Sequence, residues 1–311
     1  MSEHSPTSPV LPELREHRWS WKGKAMTLAY EVMGEGKPIL LLPALSSVSS
    51  RGEMRGLAEQ LARSYQVYTI DWIGFGDSSR PAVPYTPALY ESCLRNFVQE
   101  MFPEPVVVIA AGHAAGYVME LAQRQPPWDW AVLVCPTWRG PLPTAMGEHR
   151  WAYRILQKLV GLPLIGQVLY FLNTTRGFLA MMYRRHVFAD QRNITPELIQ
   201  QKQKLTKVKR SRFASAAFVT GELDRAKSRE DWLSWFQPLP LPVMMVIGEN
   251  MPAKSRQEVE VLAHFSGVQV YRMPGSLGLH EEYPEQLAAG ILAFLEKYRS
   301  RRRPRNPQFD L

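Results

Sequence analysis

Near the middle of this 311-residue chain, a run of six apolar residues leads directly into a turn made of small residues. The run, residues 106–111 (VVVIAA), is followed by residues 112–116 (GHAAG) and by a stretch of helical character from Tyr117 to Gln125. A strand that turns sharply into a helix needs small residues around the turn, because the two backbones nearly collide there. The pattern therefore predicts a buried strand, a tight turn and a helix, as in α/β proteins.

The turn has the frame of a nucleophile elbow, Gly-x-Ser-x-Gly, but alanine stands at the central position. In this frame Gly112 and Gly116 are the two glycines, His113 precedes the nucleophile position, and Ala114 occupies it. A methyl group cannot attack a carbonyl carbon. We therefore expect the architecture of a hydrolase without its reactive atom.

The bulk composition favours one large α/β domain with an insertion. Apolar residues make up 45% of the chain and charged residues 21%, which suits a folded core and argues against disorder. Residues 1–12 lack the order of a signal peptide, and no apolar run reaches the roughly 20 residues that span a bilayer. The two cysteines, Cys93 and Cys135, offer neither a disulfide framework nor a metal cluster. We expect a cytoplasmic protein without a metal or other cofactor.

The net charge of +8 is interpreted as largely a property of the C-terminal tail. Residues 297–311 contain six basic residues and one acidic residue, Asp310. We expect a solvated chain end, with an anionic membrane surface or an acidic protein as the alternative partner. Nucleic acid is not expected as a partner, because no basic patch interleaved with aromatic residues accompanies the tail.

The first half of the chain alternates strands with helices, which is typical of a mostly parallel sheet covered on both faces. The predicted strands are residues 19–24, 26–32, 37–42, 65–70, 106–111, 130–134, 241–247 and 268–272. From Arg139 to Phe236 the pattern is almost entirely helical, which predicts a helical lid between the sixth and seventh strands. The predicted parts are a flexible N-terminus (1–17), a core (18–138 and 237–298), the lid (139–236) and a basic tail (299–311).

Five motifs in order resemble those of the α/β-hydrolase superfamily in its lidded form. They are residues 40–45 (LLLPAL), 71–78 (DWIGFGDS), 112–116 (GHAAG), 248–252 (GENMP) and 279–284 (LHEEYP). The whole pattern also resembles the α/β-hydrolase-like proteins of cyanobacteria and plastids. The resemblance implies an eight-stranded, mostly parallel sheet with helices on both faces, a helical lid, and a serine–histidine–acid triad.

Two of the three triad positions are substituted in this chain. The resemblance assigns the acid to the third residue after Gly248, where the chain has Met251. The alternative acid position, residues 135–137 (CPT), holds no carboxylate, and Glu249 is nearby but out of register. His280 matches the family's histidine and is either a structural remnant or a base that still serves a pocket ligand.

The resemblance also implies an oxyanion hole built from backbone amides, which side-chain substitutions do not remove. The expected donors are the amides of Leu45 and Ala115, and His113 is expected to contribute to the same ligand site. Such amides still bind a carbonyl or carboxylate group. Ligand binding is therefore expected to persist where catalysis is lost.

Several other polar residues are candidates for a substitute nucleophile or acid. They are Ser46, Ser47, Ser49, Ser50, Asp71, Cys135, Glu222 and Asp224. The serines suit a helix cap, the cysteine suits a buried core position, and Asp71 suits an anchor for the turn between Gly74 and Gly76. Glu222 and Asp224 suit a turn in the lid.

Two functions remain open from the sequence. The first is a protein of this fold that lacks the serine-hydrolase triad and binds a small apolar or acyl-type ligand, or a protein partner, in the lidded pocket. The second is a hydrolase or lyase of the same fold that uses His280 with a non-standard nucleophile or acid. Catalysis is left open, and a peripheral contact with a membrane through residues 297–311 is compatible with both.

Overall fold

A computed structural model describes residues 12–124, 127–147, 150–162 and 164–302 of the chain. Its strands are β1 (Glu13–Trp21), β2 (Lys24–Met33), β3 (Pro38–Leu42), β4 (Gln66–Ile70), β5 (Val106–Ala111), β6 (Trp128–Val134), β7 (Val243–Gly248) and β8 (Val268–Met273). They form one sheet in the order β1-β2-β4-β3-β5-β6-β7-β8. Strand β2 is antiparallel to both of its neighbours, and all other pairs are parallel. The predicted eight-stranded, mostly parallel sheet is confirmed.

Helices connect the parallel strands and fill a long insertion between β6 and β7. They are α1 (Arg55–Leu61), α2 (Pro87–Met101), α3 (Ala114–Arg124), α4 (Pro141–Met146), α5 (Arg150–Gly161), α6 (Ile165–Leu172), α7 (Arg176–Met182), α8 (Pro196–Thr206), α9 (Ser211–Val219), α10 (Arg229–Ser234), α11 (Ala253–Ala263), α12 (Leu279–Glu282) and α13 (Pro284–Arg302). The helical insertion is α4 to α10. A 3₁₀ helix, Arg51–Met54, precedes α1, and a π-helix, Tyr183–Val187, follows α7.

The helical insertion packs on the loop that follows β3. Val48 of that loop lies in a small apolar cluster with Leu179, Tyr183, Phe188 and Ile199 of the insertion. This cluster is separate from the main core, which is built on the sheet. The insertion is therefore anchored beside the carboxyl ends of the central strands, where sites in α/β sheets usually lie.

Three aromatic side chains hold the loops at that sheet edge in place. Trp72, Tyr90 and Tyr117 are fully buried and pack on one another with ring centroids 5.7 to 5.9 Å apart. The Trp72 indole N–H donates to the Pro43 carbonyl at 2.8 Å. The Tyr117 hydroxyl donates to the Leu223 carbonyl at 2.8 Å. The cluster thus ties the loop after β3 and the helical insertion to the core.

Several predicted boundaries differ from the structure. Strand β1 begins at Glu13, so residues 13–17 are not part of a flexible N-terminus. The sequence hides this edge strand because most of its side chains are exposed or charged, which removes the apolar alternation. Helix α13 continues to Arg302, so the tail does not begin at residue 299. The remaining tail residues, 303–311, lie outside the described residues.

Candidate functional site

The turn between β5 and α3 reaches its apex at Gly112. This residue follows the last residue of β5 and has a φ of +51°. Its amide donates to the Val134 carbonyl at 2.9 Å, and its carbonyl accepts from the Thr137 amide at 3.1 Å. A positive φ between a strand and a helix is the strained geometry of a nucleophile elbow, and glycine adopts it without steric cost.

The prediction that Ala114 occupies this apex is wrong by two residues. Ala114 is the first residue of α3 and is completely buried. It is also absent from the residues with positive φ, whereas Gly112 is among them. The elbow therefore presents a hydrogen atom at its apex, and the small residues Ala110 and Ala114 stand on either side of it.

The space beside Gly112 is bounded by the loops after β3 and β6. A Cβ atom built on Gly112 would lie 3.2 Å from Cβ of Ala44 and 3.8 Å from Oγ1 of Thr137. A side chain at this position would thus point between the two loops. This is the place where a nucleophile would meet its substrate in an elbow of this kind.

A buried carboxyl group, Glu53, lies next to this space. Its Oε1 atom accepts a hydrogen bond from the amide of Ala44 at 2.6 Å and lies 3.5 Å from Nε2 of His280. Both side chains are almost fully buried, and Glu53 comes from the 3₁₀ helix while His280 comes from α12. The structure thus brings His280 to a carboxyl group that the sequence did not identify, because the two residues are distant in the chain.

The residues at and near the expected acid position after β7 do not provide an acid for His280. Met251 is buried, and its amide donates to the Gly248 carbonyl at 3.3 Å. Glu249 is exposed, which does not suit a substitute acid for a buried histidine. Among the described residues, no hydrogen-bond partner is found for Nδ1 of His280, the ring atom that a triad acid would hold.

A second buried charge lies close to this pair. Nζ of Lys202 in α8 is 2.7 Å from Oε1 of Glu281, the residue after His280. Burial lowers the pKa of Lys202, but neighbouring Tyr183, Glu281 and Glu53 outweigh this effect and raise it above its ordinary value. The ammonium group therefore stays charged inside the protein and links the helical insertion to α12, the helix that carries His280.

His113 has a different environment from the one predicted. Its Nε2 lies 2.9 Å from Oδ1 of Asp224, and that oxygen also accepts from the Gly140 amide at 2.8 Å. The imidazole is buried and meets the Phe218 ring edge-on, with centroids 5.5 Å apart. His113 thus joins the elbow to the helical insertion, and the predicted turn residue Asp224 is its partner.

The sequence model of the family described as "Alpha/beta hydrolase family" matches residues 39–290. That match covers most of the chain, from β3 into α13. The chain belongs to the α/β-hydrolase family.

Solved α/β-hydrolases share the fold of most of the chain. An esterase from Thermogutta terrifontis superposes with a TM-score of 0.69 at 19% identity, covering 92% of this chain and 98% of that chain. The enol-lactonase from Burkholderia xenovorans gives a TM-score of 0.68 at 16% identity, covering 90% of this chain and 100% of that chain. At such identities the likeness concerns the fold alone.

Curated relatives match over shorter stretches. A 2-hydroxy-6-oxo-6-(2'-aminophenyl)hexa-2,4-dienoic acid hydrolase of Metapseudomonas resinovorans is 30% identical over 88 residues, 28% of this chain and 30% of that protein. An uncharacterized protein of Mycobacterium bovis is 26% identical over 98 residues, 32% of this chain and 28% of that protein. The chain therefore spans less than a third of the length of these relatives, and their activities do not transfer to it.

The substitute nucleophiles in this α/β-hydrolase are poorly placed for catalysis. Cys135 has a φ of +44°, and its thiol donates to the Ser276 carbonyl at 3.3 Å. Burial raises the pKa of this thiol to about 12, so it is neutral at physiological pH and a weak nucleophile. Ser49 is buried, with no hydrogen-bond partner for its hydroxyl among the described residues. Ser50 precedes the 3₁₀ helix without capping it, so the predicted capping role is not observed there.

Asp71 anchors the turn that follows β4, as the sequence predicts. Its carboxylate accepts from the amides of Arg51 at 2.6 Å and Asp77 at 2.8 Å, and it pairs with the Arg51 guanidinium. A Cβ atom built on Gly76 would lie 2.0 Å from the carboxyl carbon of Asp71, so only glycine fits there. Asp71 is therefore part of the framework and not a free acid.

Two cavities open between the core and the helical insertion, beside the elbow. The larger, about 500 Å³, includes Glu91, Tyr153 and Asp224 in its lining. The smaller, about 270 Å³, includes Thr137 and Lys254. Gly112, Glu53 and His280 line neither of these two cavities. No cluster of three or more His, Cys, Asp or Glu side chains suited to a metal ion occurs among the described residues.

Proposed function

We propose that this chain is a non-catalytic α/β-hydrolase of the lidded type, in which the helical insertion is the lid and binding has replaced ester hydrolysis. The observation that supports this most strongly is the glycine at the apex of the elbow. The apex residue supplies the nucleophile in this fold, and Gly112 has no side chain to supply one. The proposal includes a relationship to the α/β-hydrolase-like proteins of cyanobacteria and plastids, which the sequence resembles.

The size of the expected loss in catalytic rate favours a binding protein over a serine esterase. Removing any triad member leaves a residual acceleration of about 10³ to 10⁴ over water, from the oxyanion hole and binding alone. Here the nucleophile position is Gly112 and the acid position is Met251, so two members are missing together. Such a site would be too slow to serve as a serine esterase.

Glu53 adds an electrostatic obstacle to acyl transfer. Its carboxyl group lies on the Ala44 amide, in the loop expected to provide an oxyanion donor. A negative charge at this place repels the oxyanion that develops during attack on an ester, and it occupies a backbone donor. The expected donors Leu45 and Ala115 are both buried. With Gly112 at the apex, the amide that follows the nucleophile position is that of His113, whereas the Ala115 amide donates to the Gly112 carbonyl at 3.3 Å.

The ligand we propose is an apolar or acyl-type molecule, or a protein partner, bound through the helical insertion. Glu53, His280 and Lys202 are all buried, and none of them lines either cavity. Both cavities lie between the core and the insertion. This arrangement favours binding at the insertion over binding directly above the elbow.

A second candidate function is proton transfer by His280 with Glu53 as its acid. The distance of 3.5 Å from Nε2 to Oε1 supports this alternative, because a carboxylate this close stabilises an imidazolium. It would make the chain a lyase or hydrolase with a non-standard acid. An ester-hydrolysis assay that includes a His280→Ala variant separates the two candidate functions.

The test is hydrolysis of p-nitrophenyl butyrate by the full chain. We expect the native chain to add at most the residual acceleration that binding and the oxyanion hole supply, because no nucleophile stands at the apex. Any gain in the rate of ester hydrolysis is expected in the Gly112→Ser variant and not in Ala114→Ser. Only position 112 faces the space between the loops after β3 and β6. Saturable turnover by the native chain that His280→Ala abolishes would favour the second candidate and contradict the first.

A further inference from the structure

Helices α5 and α6 carry most of the large apolar side chains that the described residues expose to solvent. Nine of the fourteen lie on these helices or on the turn between them, and we call these nine the α5–α6 face. They are Trp151, Ile155, Leu159, Leu162, Leu164, Ile165, Val168, Phe171 and Leu172. The other five are Leu14, Met146, Met181, Val208 and Val270, none of them on α5 or α6.

The exposure of this face is too large for an ordinary protein surface. Trp151 is 71% exposed, Leu164 is 75% exposed and Phe171 is 64% exposed. Single exposed apolar residues are normal, but a contiguous group of this kind marks a protein or membrane interaction site. The structure leaves one side of these two helices uncovered.

The shape of the pair suits the surface of a membrane better than its interior. No single helix among the described residues is long and apolar enough to cross a bilayer. Residues 151–160 and 165–172 together have enough length and apolar character, but the two helices meet at 104°. A bent pair with one apolar side can lie in the interface plane, with that side between the headgroups and the acyl chains.

The positive charge of the chain lies in the same segment. Residues 141–212 contain thirteen basic and three acidic residues, a net charge of +10, so the rest of the chain carries −2. The C-terminal tail, expected to hold most of the basic character, carries a net charge of +5 in fifteen residues, so its charge density is higher but its total charge is smaller. The larger total charge accompanies the exposed apolar face.

Several of these basic residues lie on α5, on its neighbour α9 or just before α9. Helix α9 packs against both α5 and α6, and Nε of Arg212 donates to the Val160 carbonyl at 3.2 Å. The exposed residues Lys207 and Lys209 lie just before α9, and Lys158 is exposed on α5 itself. An apolar centre with cations beside it is complementary to an anionic lipid surface.

We infer that the α5–α6 face docks this protein onto an anionic lipid bilayer, with its apolar side chains in the headgroup boundary and the neighbouring cations on lipid headgroups. A second copy of the chain fits this face poorly, because pairing two segments of charge +10 brings like charges together. Docking of this kind holds whether or not the elbow is catalytic, so failure of the proposed function leaves it intact.

The experiment is flotation of the full chain with phosphatidylcholine vesicles that contain or lack phosphatidylglycerol. We expect flotation with the anionic vesicles, weakened by salt and by omission of phosphatidylglycerol. Leu164→Asp combined with Phe171→Asp is expected to lower the membrane partition coefficient by at least about tenfold, because two apolar anchors become charged. Leu14→Asp, also on an exposed leucine but in β1, is the matched control and should float as the native chain does.

Two further measurements distinguish this docking from membrane binding through the C-terminal tail and from a protein–protein contact. A chain that ends at residue 302 should still float, since the docking surface is not the tail. Loss of flotation in that truncation, with none in the Leu164→Asp, Phe171→Asp variant, would overturn the inference in favour of the tail. Absence of native flotation, or a native dimer that the double variant makes monomeric without any vesicle binding, would overturn it in favour of a protein contact.

Discussion

Replacement of Asp71 by alanine is expected to lower the free energy of unfolding by about 3–5 kcal/mol. The carboxylate is completely buried and satisfies two backbone amides and the Arg51 guanidinium. Burial lowers the pKa of Arg51, but Asp71 and Glu31 outweigh this effect and raise it, so the guanidinium stays charged. Without Asp71, a largely buried cation and the turn after β4 both lose their main partner.

Asp77→Ala is the control for this prediction. Its carboxylate also lies 2.8 Å from the Arg51 guanidinium, but its side chain is 65% exposed. Exposed ion pairs contribute about 0–1 kcal/mol, so the control should be close to the native stability. Urea unfolding followed by circular dichroism gives both values, and equal losses in the two variants would show that burial of Asp71 does not have the assigned effect.

Lys202→Met is expected to lower the free energy of unfolding by about 3–5 kcal/mol as well. The lysine is buried and its ammonium group pairs with Glu281 at 2.7 Å. Methionine fills a similar volume but leaves the carboxyl groups of Glu281 and Glu53 without this cation. The expected cost comes from uncompensated buried charge and not from lost packing.

Two variants separate charge from packing in this case. Lys204→Met changes an exposed lysine on the same helix, and we expect less than about 0.5 kcal/mol from it. Lys202→Met combined with Glu281→Gln should recover much of the stability lost in the single variant, because it removes one of the unpaired charges. A double variant as unstable as the sum of its single changes would contradict the assigned ion pair.

The sequence predicts the fold well because its signals are local. The buried strands β3, β5 and β7 are nearly continuous apolar runs, which is typical of parallel strands. The elbow itself is also recognisable, but its register is not. Residues 110–116 (AAGHAAG) offer small residues in two frames, Gly-x-Ala-x-Gly and Ala-x-Gly-x-Ala, and only the backbone angle at Gly112 distinguishes them.

The side-chain partners at the site could not be predicted from the sequence. Glu53 and His280 are more than two hundred residues apart, and no motif links a glutamate in that helix to the histidine. Lys202 lies in the helical insertion, whose placement over the sheet depends on tertiary packing. Likewise, the apolar pattern of α5 and α6 predicts helices, but which of their sides faces water depends on the position of α9.

The claim that the elbow has no nucleophile is tested most directly by intact-mass spectrometry after exposure of the native chain to a fluorophosphonate probe. We expect the mass to remain unchanged, because Gly112 offers the phosphorus atom no hydroxyl to react with. A stoichiometric phosphonyl adduct on the native chain, mapped to a single serine, threonine or cysteine, would contradict this account.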